Sequence, residues 1–106
     1  MRQCKVCVHG IYAGLLTEDN QRHYRFEYDD VYLQNKDASP VCLAMPTSQT
    51  VYESDVLFPF FSNMLSEGEN RAYQARLFRI DEKDDFGILL ATANYDTIGC
   101  VTVIPA

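Results

Sequence analysis

Residues 55–71 read DVLFPFFSNMLSEGENR, where the densest aromatic cluster of the chain runs into a polar corner that contains a glycine. Apolar residues recur at steps of three and four, which predicts one side of a helix: Leu57, Phe60, Phe61, Met64 and Leu65. Pro59 is tolerated only in the first turn of a helix, because its missing N–H would have no partner there. The stretch therefore predicts a helix that starts at Asp55 or just after it.

A second helix is predicted directly after this corner. Ser66 and Glu69 have the spacing of a capping box, and Gly68 eases the turn between the two helices. The polar crest of the corner is exposed in this interpretation, so we expect a partner protein to contact its residues: Glu67, Gly68, Glu69, Asn70 and Arg71. Helix capping and a tight corner would explain the same residues without any partner.

Strands are predicted before residue 30. Residues 4–9 alternate between two faces, the chain turns near Gly10, and a second strand passes through Leu15 and Leu16. Residues 18–21 form a polar turn. The clearest strand covers residues 23–28, where three aromatic side chains share one face: Tyr24, Phe26 and Tyr28.

The middle of the chain is predicted to be irregular, with one short helix and one short strand. Asp29 and Asp30 can cap a helical turn, and residues 35–40 read as a loop. Residues 41–45 form a continuous apolar run that ends at Pro46, which predicts a buried strand. Residues 47–50 are predicted to be a loop that leads into the helical half.

Two helices and a strand complete the prediction. In a helix over residues 70–80, Tyr73, Leu77 and Ile80 are expected to face the core, with three arginines outside: Arg71, Arg76 and Arg79. Asp84 or a nearby acid caps a helix that buries Phe86, Leu89, Leu90 and Ala93, and residues 99–104 form a strand. The order predicts an α+β fold, with a mainly antiparallel sheet of about five strands and three helices on one face, as a single domain over residues 1–106.

Composition excludes several classes of protein. The chain has 106 residues, of which 47% are hydrophobic and 23% charged, as in an ordinary globular domain. Its formal net charge of −6 argues against nonspecific binding to nucleic acid or to an anionic membrane. No signal peptide or membrane-spanning run is found, and four scattered cysteines do not form a disulfide framework. We therefore expect a cytoplasmic protein with reduced thiols.

No catalytic motif is found in the sequence. Cys4 and Cys7 form a lone C-x-x-C, but on a strand their side chains point to opposite faces, which argues against a metal site. The carboxylate pair Asp84 and Asp85 is explained better as a helix cap than as an acid/base couple. Both acids are also exposed enough to contact a partner. We therefore predict no enzyme activity, no cofactor and no metal.

The crest carries a resemblance to a known family. Residues 60–71, FFSNMLSEGENR, resemble the FFxNLLPEGxxR signature of the N-terminal subdomain of HipA-type serine/threonine kinases. Further matches follow in the family's order: residues 14–16 resemble its "G.L" strand, 24–29 its "F.YD" strand, and 41–46 its "LSLSLP" strand. Residues 84–90 and 99–103 resemble "DDFALL…GAVTL". The likeness covers nearly the whole chain.

The departures from the family pattern determine what the resemblance implies. Ser66 replaces the usual proline, residues 94–97 lack the glycine-rich turn, and the chain stops where a HipA kinase would continue into its catalytic parts. No kinase residue can therefore be carried over. Free-standing versions resemble HipS, the small component of HipBST toxin–antitoxin operons, in which HipT is the kinase and HipB-like proteins bind DNA.

Two functions are implied. The first is a non-catalytic, HipS-like antitoxin subunit that binds a separate HipA/HipT-type kinase, with a possible indirect link to a HipB-like protein through that kinase. The alternative is an excised structural module of a HipA-like kinase that serves only as a scaffold. No direct contact with nucleic acid or membrane is expected in either case.

Overall fold

The computed structural model describes residues 1–63, 65, 68–92 and 101–106. Its elements, in chain order, are β1 (Arg2–Val8), β2 (Ile11–Glu18), β3 (Tyr24–Tyr28), α1 (Asp30–Gln34), β4 (Val51–Ser54), α2 (Pro59–Ser62), α3 (Gly68–Phe78), α4 (Asp85–Thr92) and β5 (Val101–Pro105). No helix within these ranges is long and apolar enough to cross a membrane.

The strands form one antiparallel sheet in the order β4-β3-β2-β1-β5. The predicted α+β fold with a five-stranded antiparallel sheet is confirmed. The described ranges hold four helices rather than the three predicted, since the short turn after Asp29 is a helix of its own, α1. Asp29 caps it, and its carboxylate accepts a hydrogen bond from the Tyr32 N–H.

Side chains alternate between the two faces of the sheet, and one of these faces lies in the core. Cys4, Val6 and Val8 are buried on β1, and all three aromatic residues of β3 are buried as well. The pairing of β1 with β2 shifts register between Val6 and Cys7. Cys7 is buried but lies outside the main core cluster, as expected if it faces away from Cys4.

Three helices pack on the same face of β3, each through one aromatic ring. Tyr32 of α1 packs against Tyr28, with the ring centroids 6.3 Å apart. Phe61 of α2 packs against Phe26, with the ring centroids 6.2 Å apart. Tyr24 meets Phe86 of α4 at 6.1 Å. The alternating aromatic residues of one strand thus organise most of the core.

The strand predicted over residues 41–45 is wrong, because these residues form turns and bends. Val41 and Met45 are nevertheless buried. The hydroxyl of Tyr28 accepts a hydrogen bond from the Val41 N–H at 2.9 Å and donates to the Met45 carbonyl. The hydroxyl of one tyrosine therefore forms hydrogen bonds with two main-chain groups of this loop, which in a strand would pair with a neighbouring strand. The fourth strand is β4, in a stretch for which no strand was predicted.

The helix predicted from Asp55 begins instead at Pro59. A proline disfavours helical geometry in the residue before it, and Phe58 is extended with ψ of 134°. The placement of Pro59 in the first helical turn is confirmed. Phe61 and Leu65 are buried as predicted, whereas Met64 and the capping residue Ser66 lie outside the described residues.

The predicted inner face of the helix over residues 70–80 is wrong for Tyr73 and Leu77, whereas Ile80, just after α3, packs against the core as predicted. Tyr73 and Leu77 are 57% and 59% exposed, and Ala75 is the buried residue instead. A small residue at the contact lets the helix approach its neighbours closely. Arg71, predicted to lie outside, has a side chain only 17% exposed.

The helix predicted near residue 84 is confirmed as α4. Asp84 caps it by accepting a hydrogen bond from the Gly87 N–H at 3.1 Å. Phe86 and Leu89 are buried as predicted and Leu90 is half-buried. Ala93 and residues 94–100 lie outside the described residues, and the final strand is present as β5.

Candidate functional site

The predicted crest begins where α3 begins. Gly68 has a φ of +62°, a left-handed conformation that glycine adopts without strain, and it is the first residue of α3. Glu69 and Asn70 are exposed in the first turn of this helix. Glu67 lies outside the described residues. Three of the five crest residues, Gly68, Glu69 and Asn70, thus lie exposed at the start of this helix.

Arg71 points back into the molecule. Its Nε donates to the Glu82 carbonyl at 2.7 Å, and a terminal guanidinium nitrogen donates to Asp85 Oδ1 at 2.5 Å. The side chain therefore ties α3 to the segment that starts α4. Arg71 and Asp85, two of the predicted contact residues, bind each other.

Asp84 is also engaged within the fold. Its two carboxylate oxygens each accept a hydrogen bond of 2.8 Å from the guanidinium of Arg2. Such paired bonds to a charged partner are among the stronger polar contacts in proteins. The Arg2 guanidinium lowers the pKa of Asp84 below its usual range, so this carboxyl is poorly suited to act as a general acid.

A buried carboxylate completes this cluster. Glu18 is 6% exposed, accepts a hydrogen bond from Arg2 Nε at 2.9 Å, and accepts another from the Tyr24 hydroxyl at 2.7 Å. Arg2 also lies over the ring of Phe86, 5.4 Å from its centroid. Burial, together with the bond to Glu18, raises the pKa of Tyr24 to about 12.

A cavity of about 190 Å³ borders these groups, with Lys83 and Arg22 at its rim. Four carboxylates line it, and each already contacts a basic side chain: Glu18 and Asp84 bind Arg2, Asp85 binds Arg71, and Asp55 contacts His23. Within the described ranges, no group of three or more His, Cys, Asp or Glu residues could hold a metal ion.

The surface that sequence reasoning missed is the outer face of α3. Tyr73 and Leu77 are one helical turn apart, and Asn70 lies one turn before Tyr73 on the same side. Both large apolar side chains are more than half exposed. Their spacing was visible in the sequence, but the same spacing also fits a core-facing stripe. Only the burial of Ala75 shows which side faces inward.

A family model described as the HipA N-terminal domain matches residues 4–104. The chain belongs to the HipA N-terminal domain family. A solved structure titled "N-terminal domain of HipA toxin" covers 100% of this chain, with a TM-score of 0.71 and 29% identity, and the match spans 93% of that chain. The fold and the family therefore agree over essentially the whole HipA-type domain.

Two curated relatives differ in length. A protein of Haemophilus influenzae, described as uncharacterized, is 38% identical over 90 residues, which is 85% of this chain and 80% of that protein. A protein of Sinorhizobium fredii named "Putative kinase Y4mE" is 24% identical over 96 residues. This chain spans 23% of the Sinorhizobium protein's length. The HipA N-terminal domain thus matches one protein of nearly its own size and one that is several times longer.

Proposed function

We propose that this chain is a single-domain, non-catalytic subunit that binds a separate HipA-type serine/threonine kinase and neutralises it, as the HipS-like antitoxin of a toxin–antitoxin system. The observation that carries the proposal is the exposed apolar pair Tyr73 and Leu77 on α3, beside the polar crest residues Glu69 and Asn70. We call these four residues the α3 surface.

The names and lengths of the relatives support a kinase as the partner in this proposal. The Sinorhizobium relative is named as a kinase and extends far beyond the region it shares with this chain. Domains of one chain commonly pack against each other through an interface like that between two proteins. When the two parts are separate proteins, the same contact becomes an intermolecular interface, and the Haemophilus relative of similar size is consistent with such a separate protein.

The energetics fit a protein interface rather than a catalytic site. Burying the exposed parts of Tyr73 and Leu77 would contribute about 1–2 kcal/mol each, and aromatic anchors of this kind are common in interface centres. Internal ion pairs would hold the α3 surface in position without contacting the partner. Arg71 pairs with Asp85 and so joins α3 to α4, and Asp84 pairs with Arg2 and so joins the start of α4 to β1. In the proposed complex, Glu69 and Asn70 contact the kinase directly.

Binding is tested with a HipA-type kinase that lacks this domain and is encoded beside the gene for this chain. The two purified proteins, mixed at micromolar concentration, should elute together in size-exclusion chromatography. The complex should show slower kinase autophosphorylation than the kinase alone. Two well-folded proteins that elute separately would contradict the proposal.

The alternative is a structural module of a HipA-like kinase that serves only as a scaffold. It is favoured by the length of the Sinorhizobium relative. In that case, adding the chain to the truncated kinase should raise the kinase's thermal stability and leave its phosphorylation rate per folded molecule unchanged. A stop codon in the gene directly after Ala106 would argue against this alternative.

A further inference from the structure

The sheet has an edge strand whose outer side can accept another strand. Among the residues that the structure describes, β4 pairs with β3 alone and lies at the end of the sheet. The Tyr28 N–H donates to the Thr50 carbonyl at 2.8 Å, and in an antiparallel ladder the hydrogen-bonded positions alternate. The main-chain groups of Tyr52 therefore point toward β3, whereas those of Val51 and Glu53 point away from the sheet. The Val51 carbonyl accepts a hydrogen bond of 2.6 Å from the side-chain amide of Gln49, which an added strand would displace.

An apolar pocket of about 150 Å³ lies beside this edge. It opens between β4, the loop after Pro40 and the start of α2. Most of the residues described in its walls are apolar, and Glu53 is the one charged residue among them: Cys42, Ala44, Met45, Tyr52, Glu53, Phe58, Pro59 and Phe60. A cavity of this size and apolar lining accommodates one benzene-sized group. Tyr52 lies opposite the buried Phe26 on β3, so its side chain is on the core face of the sheet. The pocket that Tyr52 lines is therefore on that face.

Two exposed acidic side chains lie at the same edge. Glu53 and Asp55 have side chains 60% and 97% exposed. His23 contacts both carboxylates, at 3.4 and 3.1 Å. Arg25, which lies opposite Glu53 on β3, pairs with Glu27 of the same strand. The edge thus combines an apolar pocket, which Glu53 also borders, with two exposed carboxylates.

We propose that β4 and its pocket bind an extended segment of another protein in which an apolar residue stands between two basic residues. Such a segment would add to the sheet as a sixth, antiparallel strand, a common mode of peptide recognition. Side chains on a strand alternate between faces, so the apolar residue opposite Tyr52 enters the pocket. The basic residue before it lies opposite Glu53, and the basic residue after it lies opposite Val51, diagonal to Glu53. This site is separate from the α3 surface and does not depend on the kinase proposal.

The probe is a blocked synthetic peptide, acetyl-Ser-Thr-Lys-Leu-Lys-Thr-Ser-amide, titrated into the isotope-labelled chain and followed by heteronuclear NMR. Saturable amide shifts are expected at Val51, Glu53 and Met45. A peptide in which glutamates replace both lysines should bind about tenfold more weakly, because it places like charges opposite Glu53. Absence of saturable shifts along β4 at millimolar peptide would overturn the proposal.

Backbone methylation separates strand addition from simple side-chain contact. The first lysine would lie opposite Glu53 with its N–H directed at β4, whereas the leucine N–H would point away. Methylating the lysine backbone nitrogen should therefore abolish binding, and methylating that of the leucine should leave it within about twofold. Equal loss with both peptides would contradict a sixth strand.

Two variants of the chain itself, both at Glu53, also test whether the peptide adds as a strand. Glu53→Pro removes an N–H that takes no part in the existing ladder, and proline is tolerated at such edge positions. It should lower peptide affinity by about tenfold or more, while Glu53→Gln should lower it only about twofold to fivefold and reduce its salt dependence. Unchanged peptide affinity in a folded Glu53→Pro variant would refute the site. If that variant does not fold, the two methylated peptides test strand addition instead.

Discussion

Arg2 and Asp84 are 82 residues apart in the chain and are joined by two parallel hydrogen bonds of 2.8 Å. The first strand of the sheet is thereby fixed to the residue that caps α4. Gly87 makes room for this arrangement, since a side chain there would collide with the Asp84 carboxylate. The helix cap and the ion pair are therefore one structural unit.

Replacing Asp84 by asparagine should lower the free energy of unfolding by about 1–2 kcal/mol at neutral pH, after allowance for partial solvent screening. Urea denaturation measures the change, and Asp37→Asn, at an exposed loop position, is the matched control. Equal stability of Asp84→Asn and the wild type would show that the ion pair contributes nothing.

The same pair predicts how acid affects stability. The pKa of Asp84 is lowered in the folded chain, chiefly by its hydrogen bonds to Arg2. Its contribution is therefore complete above the ordinary aspartate pKa of about 3.9 and is lost as the pH falls through the lower folded value. The stability difference between wild type and Asp84→Asn should shrink over this acidic range. A difference that stays constant down to the acid-unfolding limit would exclude this linkage.

Phe61→Ala should destabilise the chain by about 3–5 kcal/mol, because a large core side chain would leave a cavity. Phe61 is fully buried and contacts the rings of Phe26, Phe58 and Phe60. Phe61→Asp should unfold the chain, since it would bury a charge without a partner. Circular dichroism with thermal unfolding measures both effects, and Phe78→Ala, at a 40% exposed position, should change little. A soluble, native-like Phe61→Asp protein would contradict this role.

Leu77→Glu should weaken binding to the kinase by about tenfold or more with little change in stability, since it places a charge in the proposed interface. Val31→Glu is the control, because Val31 is 73% exposed on α1, outside the α3 surface. Isothermal calorimetry compares the two variants. If both bind as tightly as the wild type, the kinase docks elsewhere.

Cys42 should react with iodoacetamide at mildly alkaline pH much faster than Cys4. Cys4 is fully buried, and burial raises the pKa of its thiol to about 12, so almost no thiolate is present. Cys42 is partly exposed at the wall of the β4 pocket. Peptide mass spectrometry after timed alkylation measures both sites, with a urea-unfolded sample as the control. Similar native rates would indicate that β1 opens readily.

Residues with one simple pattern were predictable from the sequence. The alternation of Tyr24, Phe26 and Tyr28 fixed a strand and its buried face, and all three side chains are buried. Asp29 and Asp84 were correctly interpreted as helix caps, because a cap depends on only a few neighbouring residues. Local chemistry was sufficient in these cases.

Features that depend on distant residues were not predictable in the same way. The apolar run of residues 41–45 predicts a strand, but in the structure the Tyr28 hydroxyl forms hydrogen bonds with the Val41 N–H and the Met45 carbonyl of this loop. On α3, the exposed pair Tyr73 and Leu77 looked like a core stripe. Arg71 looked like a surface residue because its partners lie on a different segment. The candidate contact surface therefore combines two residues of the predicted crest, Glu69 and Asn70, with an apolar pair for which the sequence predicted a place in the core.

The pairing of β1 with β5 has a consequence during protein synthesis. β1 is made before the other strands of this sheet, yet one of its two neighbours is β5, Val101–Pro105. Until β5 has emerged from the ribosome, β1 remains an open sheet edge in the growing chain, with Val6 and Val8 lacking their partners Val103 and Val101. Chaperone binding to the nascent chain is therefore expected to persist until β5 has emerged.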